Sequence, residues 1–425
     1  MFLSLLIILL ITLSGTILTF LYEKEDSLMV RICAGNVIGS AFFGLIAFLL
    51  ACLFGLSLTS LLIALVISLT PLVLLSQKET NHLFIGNLRK ARGKFEGATF
   101  KKFANFVYYT SIFLILCVFF ERAMLETKEG IFTGGSNNLG DLPFHLGAIF
   151  SFTEGNNFPP TNPSFDGAKF TYPFMADFLV ACLMKFGANV RDAMFFQNIT
   201  LGFSLFVLLE KFTVALTKNR LAGKIAPWLL LFSGGLGFVI FFRDYWQDGR
   251  GLSEFLMNLS KDYTIKSEVL RWGNPMIVLF ITQRAFLLGM PIVLIVLTYL
   301  WQIFNAKAQS GEDAKEINKE DETVTEFFSN SLPIISLGLL AGMLPLIHVH
   351  SLFALFIVCA FLVLFDLKKF RTYLIFGMAV SVLAVPELFW SLTGSATNLS
   401  KFIGWHFGWD KGNENFFLFW INNLG

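Results

Sequence analysis

Apolar residues run through this chain in long blocks, and polar residues come mostly as short interruptions between them. A helix rising about 1.5 Å per residue needs roughly 18 to 20 apolar residues to cross hydrocarbon. Blocks approaching or reaching that length cover Phe2–Leu21, Ile32–Phe54, Leu56–Leu75, Phe103–Phe120, Ala193–Leu216, Ile225–Phe242, Ala285–Phe304, Leu332–Ile347, Leu352–Phe365 and Thr372–Trp390. The pattern predicts an all-α polytopic membrane protein with about ten to eleven transmembrane helices and a long outer loop bearing interfacial helices. The eleventh candidate, Tyr172–Phe186, is short and carries Asp177 and Lys185, which suits an interfacial or re-entrant helix better than a full crossing. Phe2–Leu21 has no basic leader or small-residue cleavage site and is followed by Glu23–Asp26, so it reads as a retained helix.

Charge orients the blocks. Between Gln77 and Lys102 the bases Lys78, Arg89, Lys90, Arg92, Lys94, Lys101 and Lys102 outnumber Glu79 and Glu96, which predicts a cytoplasmic loop. Lys218, Arg220 and Lys224, and Lys368, Lys369 and Arg371, fall on the same side by that rule, whereas the loop 121–171 has more acids and faces outward. Counting crossings then puts Arg243–Arg284, His348–His350 and Ser391–Asn415 outside, provided that Tyr172–Phe186 does not cross. The chain divides into an N-terminal three-helix segment with its basic loop (1–102), a membrane core (103–304), a charged cytoplasmic linker (305–330) and C-terminal membrane helices (331–425). The closing "ENFFLFWINNLG" reads as the start of a further membrane helix, so a missing C-terminal part is expected.

Composition agrees with lipid as the solvent: 55% of residues are hydrophobic and 15% charged. A net charge of +2, without a basic face, argues against nucleic acid as a partner. Cys33, Cys52, Cys117, Cys182 and Cys359 lie singly in apolar blocks, as small core residues do, without the close spacing of a zinc site or disulfide framework.

Candidate chemistry concentrates on the outer side. Asp141 follows a Gly-rich turn and precedes Pro143, a position suited to opening a short helix, with His145 one turn on and on the same face. Asp141 is then either a general base or a helix cap. Asp177, in an apolar stretch, is costly unless it meets protein or water, which marks either function or a helix-to-helix hydrogen bond. Pro159, Pro160 and Pro163, leading to Tyr172, favour a rigid extended connection. Arg284, with Gln283, sits at the outer end of a span and either grips a phosphate or snorkels to headgroups.

His348 and His350 follow Pro345 and point the same way if the backbone is extended; a divalent cation there needs a carboxylate such as Asp141 or Glu414, and no cofactor is otherwise implied. Glu387, Trp405, His406, Trp409, Asp410 and Glu414 are candidates to line the same outer cavity, the tryptophans as sugar-stacking faces or interfacial anchors. Small residues in "FSGGLGF" (Phe232–Phe238) suit close helix packing.

"GDLPFH" at Asp141, the run "FPPTNPSFDGAKFTYPF" ending near Tyr172, and polar groups at the outer ends of later helices together resemble the GT-C superfamily of membrane glycosyltransferases, of the protein mannosyltransferase and arabinofuranosyltransferase types. The likeness is one of organisation and covers the region from Phe103 onward. Three helices precede the loop that normally follows the first, and Leu142 stands where a second acid would. The resemblance implies sugar transfer from a polyprenyl-phosphate donor to an acceptor hydroxyl on the outer face of a prokaryotic plasma membrane. In that scheme Asp141 and His145 are catalytic, and Arg284, Gln283, Tyr172, Asp177, His348, His350 and Glu414 bind substrate. The alternatives are a polytopic transporter or flippase, or a non-catalytic membrane protein fragment.

Overall fold

A computed structural model describes residues 2–95, 100–134, 138–259, 263, 273–309, 324–394 and 411–424. The described chain is an all-α polytopic membrane protein with one small β-hairpin. In order, the elements are α1 (Phe2–Leu18), α2 (Leu28–Phe54), α3 (Leu58–Ser68), α4 (Lys78–Phe95), α5 (Phe100–Ala123), β1 (Met124–Thr127), β2 (Gly130–Thr133), α6 (Asn138–Thr153), α7 (Met175–Lys185) and α8 (Val190–Thr217). They continue as α9 (Arg220–Phe232), α10 (Phe238–Asp248), α11 (Leu252–Met257), a π-helical turn (Met276–Ile281), α12 (Phe286–Gln309), α13 (Val324–Gly342), α14 (Leu344–Phe365), α15 (Phe370–Leu392) and α16 (Phe416–Leu424).

Among the described residues, eight helices are long and apolar enough to cross a membrane: Phe2–Leu21, Leu28–Phe54, Leu58–Ser76, Lys102–Ala123, Val190–Thr217, Phe286–Asn305, Leu344–Phe365 and Leu367–Leu392. Ser331–Gly342 is a shorter apolar helix. The expected span Ile225–Phe242 is not continuous. Its helix α9 stops at Phe232 after 13 residues, and α10 begins only at Phe238. Thus "FSGGLGF" breaks a helix instead of packing one, because Gly234 adopts φ +152°, which side-chain-bearing residues avoid. The carbonyls freed at that break are not left bare: Asn274 Nδ2 donates to Leu231 O at 2.7 Å and to Ser233 O at 2.9 Å. The expected blocks Leu332–Ile347 and Leu352–Phe365 are also redrawn, with the chain turning at Met343 ahead of Pro345.

Helices α1 and α2 approach most closely through glycines. A Cβ built on Gly15 would sit 2.0 Å from the Gly35 carbonyl oxygen, and one on Gly39 2.0 Å from that of Ile11. Gly35 and Gly39 lie four apart on one face of α2, the small-xxx-small spacing that lets helix backbones touch where lipid supplies no hydrophobic drive between them. Asn36, between them, donates from Nδ2 to Ser204 Oγ at 3.2 Å and so ties this pair to α8.

The basic segment after α3, expected as a loop, is the 18-residue helix α4. The segment 121–171 carries the expected short helix near Asp141 as α6, and ahead of it β1 and β2 form an antiparallel hairpin across Lys128 and Glu129. Its buried positions, Asn138, Leu142, His145, Ile149 and Phe152, recur every three or four residues, so one face of α6 packs inward while Leu139 and Phe150 remain exposed. Helix α7, covering the expected Tyr172–Phe186 segment, spans only 11 residues and is buried from Met175 to Leu183. At about 1.5 Å per residue it is far too short to cross, and it is surrounded by protein.

Long-range contacts sort the loops into two ends of the bundle. Lys24 pairs with Glu79, Lys211 with Asp26, and Lys369 donates to Phe304 O, which gathers the basic segments at one end. At the other end Leu56 N donates to Asn156 Oδ1 (2.8 Å) and Lys169 N to Gly394 O (2.9 Å).

Candidate functional site

Three charged or titratable side chains from separate elements meet at the end away from the basic segments. Asp177 lies in the first turn of α7, His145 near the middle of α6, and Arg284 in the turn between the π-helix and α12; each is 3% exposed or less. Asp177 Oδ2 faces His145 Nδ1 at 2.7 Å, and Asp177 Oδ1 accepts from Arg284 Nη2 at 2.5 Å. His145 Nε2 meets the Thr282 carbonyl at 3.0 Å. Both ring nitrogens therefore face acceptor atoms. The contacts are satisfied when the ring carries two protons, or when Asp177 holds the proton facing Nδ1. Burial pulls the Arg284 guanidinium below its ordinary value, and Asp177 works against that pull.

The partner of His145 is thus Asp177 and not Asp141. Helix α6 starts three residues before Asp141, at Asn138, so Asp141 stands inside the first turn instead of capping it. There a carboxylate still favours the positive end of the helix dipole. Asp141 is half-buried and has neither a hydrogen bond nor an ion pair among the described residues. It nonetheless belongs to the same neighbourhood, because Tyr172 feels both acids. Its phenol is pushed up to about 12 by burial first, then by Asp177 and Asp141, with Arg284 acting in the opposite sense. The Tyr172 ring lies 4.9 Å from Phe144 and 6.1 Å from His145, centroid to centroid.

A small, partly open cleft with a free volume of about 20 Å³, room for roughly one water, lies beside this cluster. Its polar lining comprises Asn138, Arg191, Asn198, Arg284 and Glu121; Phe120, Phe195 and Leu142 supply apolar wall. Arg284 Nε and Asn138 Oδ1 are both buried without a hydrogen-bond partner among the described residues. A buried donor and acceptor without partners, on residues that line a cleft, are what water or a small polar group would satisfy. Arg191 pairs with Glu121 at the same place. Asn138, Asn198, Arg191 and Glu121 escape the sequence reading. The one local signal, Asn189 accepting from Asp192 N at 2.7 Å as the cap of α8, fixes where Arg191 starts but not where it points.

The other expected residues divide. Gln283 is exposed and does not join buried Arg284, since neighbours in a turn face different ways. His348 and His350 do come close, with ring centroids 5.5 Å apart, because His348 interrupts α14 with extended backbone (φ −160°, ψ 90°). His348 is buried and bonds Ser351 Oγ at 2.8 Å, whereas His350 is exposed. Neither Asp141 nor Glu414 joins them: no group of three His, Cys, Asp or Glu side chains suited to a metal occurs among the described residues. Both carboxylate oxygens of Glu414 are buried without a hydrogen-bond partner among the described residues. Glu387 does not line the cleft; its Oε2 accepts from Leu346 N at 3.1 Å, capping a backbone group near Pro345. Trp405, His406, Trp409 and Asp410, and most of the linker 305–330, lie outside the described residues.

Comparison with known proteins gives no family model, no curated protein and no solved structure that matches the chain.

Proposed function

We propose that this integral membrane protein is a glycosyltransferase of GT-C organisation, moving a sugar from a polyprenyl-phosphate donor to an acceptor hydroxyl at the outer face of a prokaryotic plasma membrane. The observation that carries the reading is a division of labour between two acids around Tyr172. Asp177 is committed to His145 and Arg284, whereas Asp141 is half-exposed and uncommitted. A general base must be free to take a proton from the acceptor, and of the two only Asp141 is. His145 then serves as a positioning residue, holding Asp177 and through it the guanidinium.

Arg284 supplies the donor side. One of its terminal nitrogens is bound to Asp177, and the residue lines the cleft, where the guanidinium would meet a phosphate oxygen as negative charge develops on the leaving group. Asn198 offers an amide to the same ligand, and Asn138, whose Nδ2 is given to Ala123 O, offers only its Oδ1 as acceptor for a hydroxyl. The test uses membranes supplied with radiolabelled prenyl-phosphate sugars. Asp141→Asn should lower transfer by about 10²–10⁴-fold while donor binding persists. Arg284→Lys keeps a cation beside Asp177 but loses the planar fork, and should weaken donor binding. Absence of transfer by the unaltered protein with all such donors, or undiminished transfer by Asp141→Asn, rejects the reading.

One observation favours a transporter or flippase instead. Alternating-access proteins place interrupted helices around their substrate site. Here α9 stops at Phe232, the π-helical turn precedes Arg284, and His348 breaks α14. Sugar-lipid flux across proteoliposomes without chemical transfer would select that reading.

A further inference from the structure

Helix α4 (Lys78–Phe95) has a role that neither the cleft nor the buried cluster uses. It begins directly after the span Leu58–Ser76, and Asn81 Nδ2 donates back to Leu75 O at 3.0 Å, fixing a turn at the basic end of the bundle. Two contacts then hold its first half across that end. Lys24 pairs with Glu79, and Phe84 meets Phe20 edge-on with centroids 6.5 Å apart. Its remaining apolar side chains have no such cover: Ile85 is 38% exposed and Leu88 41%.

Arg89 and Arg92 continue the face of Ile85 and Leu88 one to two turns on, and Lys90 stands off it. Arg89, Lys90 and Arg92 are exposed, and none forms an ion pair among the described residues. A polar helix with a narrow apolar face and unpaired cations, held at the level where the spans end, matches the geometry of an interfacial amphipathic helix. Its apolar strip can enter the edge of the hydrocarbon while the long basic side chains reach outward to headgroups. Charge complementarity decides the occupant: three unneutralised cations favour anionic headgroups over zwitterionic ones.

We propose that α4 is a docking helix for the anionic phospholipid of the membrane in which the protein sits, read by Arg89, Lys90 and Arg92. The proposal stands apart from sugar transfer and holds whichever reading of the cleft is correct.

The test reconstitutes the full chain in nanodiscs of phosphatidylcholine alone or mixed with phosphatidylglycerol and follows amide exchange across residues 78–95. Phosphatidylglycerol should slow exchange there about ten-fold, an effect that high salt removes. The triple variant Arg89→Gln, Lys90→Gln, Arg92→Gln should lose the lipid-dependent protection. A control carrying Arg220→Gln and Lys368→Gln, two other exposed bases at the same end, should keep it. If the triple variant fails to fold, salt screening of the unaltered protein decides. Equal exchange in the two lipids, or protection that persists in the triple variant, overturns the proposal.

Discussion

Both ends of the bundle bury an acid against cations, yet they use it differently. At the basic end Asp26 accepts from Lys211 and from the Tyr299 hydroxyl, while Arg31 donates from Nε to the Asp26 carbonyl at 3.2 Å and from Nη1 to Thr19 Oγ1 at 2.9 Å. The Arg31 guanidinium also lies 3.9 Å from the centre of the Phe20 ring. At the opposite end Asp177 meets His145 and accepts from Arg284, and there the arginine lines a cleft; among the described residues each guanidinium, Arg31 at Nη2 and Arg284 at Nε, keeps one buried nitrogen without a hydrogen-bond partner. The first cluster ties α8 and α12 to the turn between α1 and α2. The second ties α6 and α7 to the turn before α12, where Arg284 also lines a small cleft. A buried ion pair alone therefore marks neither function nor its absence; the Asp177 cluster is the one that the described cleft adjoins.

Substitutions should separate the ends in order of size. Asp177→Asn leaves Arg284 buried without its counter-ion and should cost about 3–5 kcal/mol, read from chemical unfolding in detergent. A loss below about 1 kcal/mol would mean that the acid is not the keystone of that end. Asp26→Asn should cost less, about 1–3 kcal/mol, because Lys211 is a quarter exposed and can take up water. In the proposed reading it leaves transfer by the folded fraction unchanged, and a selective loss of transfer would erase the distinction between the ends. Glu121→Gln, removing a half-exposed partner of Arg191, should cost at most about 1 kcal/mol but alter ligand affinity in the cleft, measured by binding of the labelled donor. Asp141→Asn should move stability by no more than about 0.5 kcal/mol, since it gives up no partner, even as it abolishes most transfer.

Particular residues show how much of this was legible beforehand. The Asp141–His145 spacing is visible in the sequence, and both residues do fall on one helix. The partner of His145 was not, because Asp177 is 32 residues away in sequence and competes for the imidazole only once α7 packs on α6. Arg284 was legible as a cation at a helix end, but its burial was not. Snorkelling and burial look identical in sequence, and the ion pair that decides between them spans 107 residues. The break at Phe232–Phe238 was misread because small residues serve both close packing and helix interruption, and Asn274 settles which by satisfying the freed carbonyls.

By itself the sequence determined what depends on local composition. Apolar length marked the eight helices long enough to cross, since a helix in lipid need satisfy only its own backbone, though it also marked Ile225–Phe242, which is interrupted. The clustering of bases marked the segments that share one end, since charge resists crossing hydrocarbon. Only the tertiary structure decided which acid is neutralised and which is free, where a cleft remains, and that α4 is a helix with a face to offer. Those outcomes depend on which surfaces meet across long stretches of chain, and no local pattern of residues encodes that.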